Sequence, residues 1–401
     1  MKRLSTAVAL VLALSACSTG NGTPRKSPIP ESRRAELVGS LVTNVLLPSL
    51  DDLVSSAEAF EVAASAYAAD VGSAEARAAV ESAFRTLLEA LQRVEVMQLG
   101  PLGDPAKFAG GKGLRYGLYS WPLHSRCSVD MALVDEAYAD VDALASMQPS
   151  YFGFDAAEYL LFHPDSNACP QINRINTACP GASTCFADLV SEGLLPARAA
   201  AYLSSVASLL ARDARTVRQA YARDGEDFVG QIEAGSGVYR DTTESMTAFI
   251  HAMYYVEIEV KDQKLAIPVG VSDQCPTSTC PDRVELPYSK LSKEAIVANL
   301  TAFRDLYYGA DPSVKPDALG FDDVLVELSA GEVDQAMRAG IDATFAAVEA
   351  IPGSLEDALA SDVASVEAAY AALQALMTEL KTRFIGILDV QPPAAAAGDN
   401  D

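Results

Sequence analysis

Histidine and tryptophan are nearly missing from this chain, with three and one in 401 residues. It has no H-E-x-x-H pair and no G-x-S-x-G turn, so the usual frames of a zinc hydrolase or a serine nucleophile are lacking. Basic residues are short as well: 30 Lys and Arg stand against 54 Asp and Glu, a formal charge of −24. A surface that negative argues against a nucleic-acid partner. It favours solubility and concentrates cations, while most of these carboxylates read as a solvated face. Strand patterns are scarce, since Val269-Gly270-Val271 is too short to found a sheet. Beyond the N-terminus no apolar stretch reads as a membrane span.

What is present begins with an export signal. Lys2 and Arg3 precede an apolar run from Ala7 to Leu14 and then Leu14-Ser15-Ala16-Cys17. A basic start, a short apolar stretch and small residues before a cleavage point read as a secretory leader. The cysteine at that point resembles a bacterial lipobox, which implies removal of residues 1–16 and a lipid on Cys17. Ser18, in place of an aspartate, points to the outer membrane, facing the periplasm or the cell surface. Residues 17–30, rich in Gly, Ser, Thr and Pro, then form a flexible tether.

Six further cysteines suit an exported, oxidising setting: Cys127, Cys169, Cys179, Cys185, Cys275 and Cys280. Cys179 with Cys185 and Cys275 with Cys280 read as local loop staples, which leaves Cys127 with Cys169, although spacing alone does not fix connectivity. Zinc is disfavoured here because paired C-x-x-C units are lacking.

From Glu31 onward helical periodicity dominates. The apolar segment 35–69 contains Pro48, where a kink or break is expected. Ser73 offers an N-cap to a helix with the stripe Val80, Phe84, Leu87, Leu88, Leu91 and Val94, which Gly100-Pro101 stops. Residues 99–127 read as a long ordered loop, of the kind that usually has a functional reason. A helix is expected over 128–145 and another from Pro196, with Tyr202, Val206, Leu209, Val217 and Tyr221 on one face. The polar stretch 226–241 divides the chain. A helix over 242–264 follows, ended by Pro268. The last helix has the seam Val363, Val366, Tyr370, Leu373, Met377, Leu380 and Phe384. The expectation is an all-α protein of two up-down bundles packed side by side, residues 31–225 and 226–390, with a disordered tail over 391–401.

The most unusual stretch is Gly153-Phe154-Asp155-Ala156-Ala157-Glu158-Tyr159-Leu160-Leu161-Phe162. Read as a helix, it puts Glu158 among Phe154, Leu161 and Phe162 on the face that should be buried. Glu95 lies likewise on the apolar stripe of its own helix. A carboxylate is costly to bury unless paired, hydrogen-bonded or bound to a cation. Asp155 and Glu158, three apart on one face, can converge, and with Glu95 they make an oxygen-rich site suited to Fe(III), Ca²⁺, Mn²⁺ or Mg²⁺. In the plainer alternative, Asp155 caps the helix and Glu158 pairs with Arg115 or Arg126. Glu257 and Lys264, two turns apart, are candidates for a pocket between the halves. His163 reads as a helix-end cap and His251 as solvent-exposed.

Trp121-Pro122, the block 153–162, Lys264 with Pro268, the helix end Arg93 to Pro101 and the run Asn299 to Tyr307 together resemble the imelysin-like family. The resemblance spans residues 31–390. It implies an exported helical protein with an interdomain pocket, a link to bacterial iron uptake with partners among envelope iron-uptake components, and an older metallopeptidase label. The family signature G-x-H-x-x-E falls on Gly153, Asp155 and Glu158, with aspartate in the histidine position, which disfavours zinc chemistry. The functional expectation is a lipid-anchored envelope protein that binds a metal ion or a metal-bearing ligand. A metallopeptidase and a non-catalytic polysaccharide- or protein-binding module are the alternatives.

Overall fold

A computed structural model describes residues 27–177 and 185–396 of the chain. The protein is 66% helical, and no strand occurs among the described residues. Cys17, the expected lipidation site, and Cys179 lie outside the described residues.

Helix α1 (Glu31–Ala69) turns back through a tight connection into α2 (Ala74–Val96), where the Ser73 side chain accepts from the Ala76 N–H at 3.1 Å. That cap satisfies one of the orphan amides at the helix start. The expected α2 stripe is buried throughout and packs against α1, and α1 packs in turn against α5 (Leu195–Tyr221). Between them lie α3 (Arg126–Asp135) and α4 (Phe154–Leu161), the latter held by Phe154 stacked on Phe84 of α2 at 4.5 Å. The later half is built from α6 (Thr242–Met253), α7 (Ser292–Tyr308), α8 (Gly331–Glu349) and α9 (Val363–Glu379), with α8 against α9 and α7 against α2. The seam residues Val366, Tyr370, Leu373 and Met377 of α9 are buried. Two disulfides join Cys127 to Cys169 and Cys275 to Cys280, and Cys185 is also disulfide-bonded.

Several local expectations are corrected. Pro48 does not break α1: a π-helical turn, Val42–Leu46, directly precedes it. Proline lacks an N–H and crowds the carbonyl four residues back, and a wider turn at that point accommodates both. The same device recurs before Pro268, where the chain winds as a π-helix over Val256–Ala266 and continues to Val269 before Gly270 ends it at φ 84°. The helix expected over 128–145 is two helices, α3 and a short one at Val141–Ala145. The break falls at Glu136, in the left-handed region, and Asp140 caps the new start. Glu31–Ala69 is, among the described residues, one helix long and apolar enough to cross a membrane, a feature the sequence reading passed over. Half of its apolar window is buried inside the protein, as in a core helix. At the other end, within the described part of the tail, Ala396 is buried and the Gln391 carbonyl lies 2.9 Å from His251 Nε2, while Gln391, Ala394 and Ala395 are exposed.

Gly153 is the N-cap of α4 with φ 90° and ψ −177°, a conformation open essentially to glycine alone. A Cβ there would meet the Leu118 carbonyl oxygen at 3.1 Å. Gly153→Ala is therefore expected to lower stability by about 1–3 kcal/mol, read as a fall in the urea midpoint. An unchanged midpoint would mean that the turn relaxes at no cost.

Candidate functional site

The buried charges named from the sequence all lie inside the protein, but each is answered by a different set of partners. Asp155 Oδ2 accepts from the Ser120 backbone N–H at 2.9 Å and from its hydroxyl at 3.0 Å, and His124 Nδ1 stands 3.4 Å from Oδ1. Burial raises the Asp155 pKa, with His124 and the Ser120 hydrogen bonds opposing; burial also lowers that of His124. Glu158 reaches the loop before α7, where Oε1 accepts from the Tyr288 N–H (3.0 Å), the Ser289 N–H (2.8 Å) and the Ser289 hydroxyl (2.8 Å). Burial nevertheless pushes its pKa up to about 7 against those donors. Among the described residues no arginine forms an ion pair with Glu158, although the charge of Arg126 acts on it from further away.

Arg115 instead pairs with Glu95, at 2.9 Å. It stands on the short helix Arg115–Leu118 within the long loop. Burial works against its charge, but Glu95, Tyr255 and Glu259 outweigh that and hold it protonated. Burial is the main cause of the raised Glu95 pKa, partly offset by Arg115 and Lys264.

Beside this pair, the π-helical segment delivers Lys264 to the centre of the molecule. Its ammonium donates to Gln92 Oε1 at 2.7 Å and Asn299 Oδ1 at 2.8 Å, and pairs with Glu285 at 2.9 Å. It also lies 5.7 Å from the centres of the Trp121 and Tyr255 rings, where the ring faces favour a cation. Glu285 Oε1 accepts from Tyr119 at 2.6 Å and from Gln92 Nε2 at 2.8 Å. This network ties α2, the long loop, the π-helix and α7 together. Glu257 belongs elsewhere: its carboxylate faces Lys381 at 2.5 Å and Lys261 at 3.6 Å. Glu257 and Lys264 thus share a helix but not a site.

Asp155, Glu158 and Glu95 therefore each have protein donors. Among the described residues, no three His, Cys, Asp or Glu side chains come together in a way that could hold a metal ion. The buried network does have an opening. Arg115 and Tyr255 form part of the wall of a cavity of about 430 Å³, between the long loop, the α6/π-helix rod and the C-terminal segment. Phe108, Tyr116, Tyr254 and Ile258 add apolar surface, Glu259 adds a carboxylate, and Pro393 to Ala395 close one side. His251, expected in solvent, is half-buried and lines this cavity. His163 is also held inside, 3.1 Å from the buried Asp130.

Gln98 Nε2, Arg115 Nε and the Tyr254 hydroxyl, on residues that line the cavity, are sealed from solvent and bond no protein atom. An unmade buried hydrogen bond costs about 1–3 kcal/mol, so each of the three is a local cost to the fold beside the cavity. The sequence reading missed Gln98, Tyr254 and Glu259 because none interrupts a pattern. The available signal was the length of the loop over 99–127, which supplies Phe108, Arg115 and Tyr116.

Comparison with curated proteins finds no match. Among solved structures, a putative iron-regulated protein A precursor from Parabacteroides distasonis ATCC 8503 is 18% identical with a TM-score of 0.66, covering 90% of this chain and 95% of that one. An imelysin-like protein from Psychrobacter arcticum 273-4 is 15% identical with a TM-score of 0.65, covering 91% and 98%. At these identities the likeness shows a shared fold. The sequence profile described as Imelysin (Peptidase M75) matches residues 46–383, and the chain belongs to the imelysin family.

Proposed function

We propose that this is a lipid-anchored cell-envelope protein that takes part in iron acquisition by holding iron carried on a small organic ligand. The holding site is the cavity walled by Gln98, Arg115, Tyr254, Tyr255 and Glu259. The observation that carries this reading is an aromatic-lined cavity of about 430 Å³ beside buried carboxylates that already have protein donors. An iron setting is supported by the name of the Parabacteroides neighbour and by the family resemblance. Anchoring on Cys17 is supported by the lipobox-like end of the leader.

The arrangement favours an organic complex over a bare ion. Asp155, Glu158 and Glu95 each have one oxygen engaged by protein donors, and among the described residues no three such side chains converge, so a bare ion meets no complete ligand set. The residues present thus fit a complex that brings its own iron ligands.

Equilibrium dialysis of the purified full chain against iron(III) citrate, with Ca²⁺, Mn²⁺ and Zn²⁺ alongside as bare ions, tests the proposal. Retention of the iron complex, undiminished by Asp155→Asn with Glu158→Gln, is expected. No retention, or binding of bare ions that this pair of substitutions abolishes, overturns it. Chelator-sensitive cleavage of a peptide library would favour the metallopeptidase alternative instead.

A further inference from the structure

The segment from Gln391 to Ala396 closes one side of the cavity and is lightly held. The last helix ends at Leu388, where Asp389 turns the chain at φ 55° and the Val390 N–H donates to the Ile385 carbonyl at 3.0 Å. Beyond Val390 the run Gln-Pro-Pro-Ala-Ala-Ala puts Pro393, Ala394 and Ala395 on the cavity wall. It carries no charged or aromatic side chain, and its prolines have no N–H to give. The Ala396 N–H is spent within the segment, on the Pro393 carbonyl at 2.9 Å. Among the described residues a single hydrogen bond fastens the segment to the remainder of the fold. His251 Nε2 stands 2.9 Å from the Gln391 carbonyl, and since a carbonyl only accepts, that nitrogen carries the proton. Ala396 is buried, whereas Gln391, Ala394 and Ala395 are exposed. Other parts of the wall belong to packed elements: Arg115, Tyr254 and Tyr255 are all buried. A segment with few buried contacts and few hydrogen bonds opens locally long before the whole fold does, and elements that admit ligands are drawn from that class.

We infer that residues 391–396 form a releasable strap over the cavity, fastened at His251, and that its release sets how fast a molecule enters and leaves. As a control on ligand exchange the strap rests on the cavity being the ligand site; as a gate to the cavity it can be tested with no ligand at all. The Arg115–Glu95 and Lys264–Glu285 pairs make no hydrogen bond to the strap, so it can lift while the buried network stays intact.

Ile258 is half-buried on the cavity wall, so Ile258→Cys in the full chain makes a reporter whose alkylation by N-ethylmaleimide can be timed. The reagent is neutral, so Asp104, Glu259 and Lys107 on the same wall neither draw it in nor repel it. The chain that keeps Ile258 gives the background. Adding His251→Phe, which keeps a ring and loses the fastening, is expected to speed alkylation about fivefold, the shift in an opening equilibrium that one net hydrogen bond provides. Ending the reporter chain at Gln391 instead keeps the partner of His251 and removes Pro393 to Ala395 from the wall. That change is expected to speed alkylation at least about tenfold, since the opening step is then abolished. Both variants should melt at the temperature of the reporter chain. Equal rates in all three chains, or faster alkylation only in step with a lower melting temperature, overturn the inference. Dialysis of the same chains against iron(III) citrate separates the two readings. If alkylation quickens as expected and no chain retains the iron complex, the strap stands and the iron reading falls. If the complex is retained and the alkylation rates are equal, the iron reading stands and the strap falls.

Discussion

Lys264→Met is expected to cost about 3–5 kcal/mol of stability, enough to take much of a typical domain's margin. Among the described residues its ammonium is the only cation paired with Glu285, and it also supplies donors to Gln92 and Asn299. All four side chains are buried at 2% exposure or less. Methionine fills the volume but leaves a buried carboxylate whose remaining donors, Tyr119 and Gln92, are neutral. Adding Glu285→Gln should recover more than half of the loss, because a glutamine carbonyl accepts from the same two donors and carries no charge. Urea unfolding of the two single variants and the double variant measures this, and strong non-additivity is the expected mark of a directly coupled pair. A loss below about 1 kcal/mol for Lys264→Met would mean that water reaches the site and the network is not the organising core described above.

The second large effect is a pH dependence centred on Glu158. Its ordinary pKa of 4.5 rises to about 7 in the folded chain through burial. Below 4.5 the carboxyl is protonated folded or unfolded. Between 4.5 and 7 the folded chain keeps a proton that the unfolded chain has released, so stability falls as pH rises through this window. Above 7 both states are ionised and the difference is constant. A shift of that size corresponds to about 3 kcal/mol between the ends of the window. Glu158→Gln keeps an oxygen to accept from Tyr288 and Ser289 while removing the ionisation, so its stability should exceed wild type at pH 8 by up to about 3 kcal/mol. At pH 4 the two should nearly coincide. Asp155 and Glu95 shift in the same direction and leave a residual slope in both proteins, so the difference between the curves is the quantity to read. Parallel curves across pH 4–8 would place the Glu158 proton outside the folding equilibrium.

What the sequence made legible follows from periodicity. The stripe of α2, the face of α5 and the seam of α9 from Val366 onward are buried as their spacing required, since burying such a stripe is what holds a helix in a bundle. The burial of Glu95 and Glu158 was legible for the same reason: Glu95 lies on the stripe of α2 and Glu158 on the apolar face of α4. Their partners were not. The donors to Glu158 come from Tyr288 and Ser289, about 130 positions away, and no pattern along the chain couples the two segments. The π-helical windings were equally hidden, because proline in a helix reads as a break until the wider turn before it is seen. Gln98, Tyr254 and Glu259 were missed because a cavity wall is assembled from three separate segments, none with an unusual composition.

The central claim is that the buried carboxylates support the fold while the cavity beside Arg115 holds the ligand. Crystals grown with iron(III) citrate, measured at the iron absorption edge, locate the metal directly. The account predicts one anomalous peak inside the cavity walled by Gln98, Arg115, Tyr254 and Glu259. A peak against Asp155 and Glu158, with Ser120 and Ser289 turned away, would contradict it.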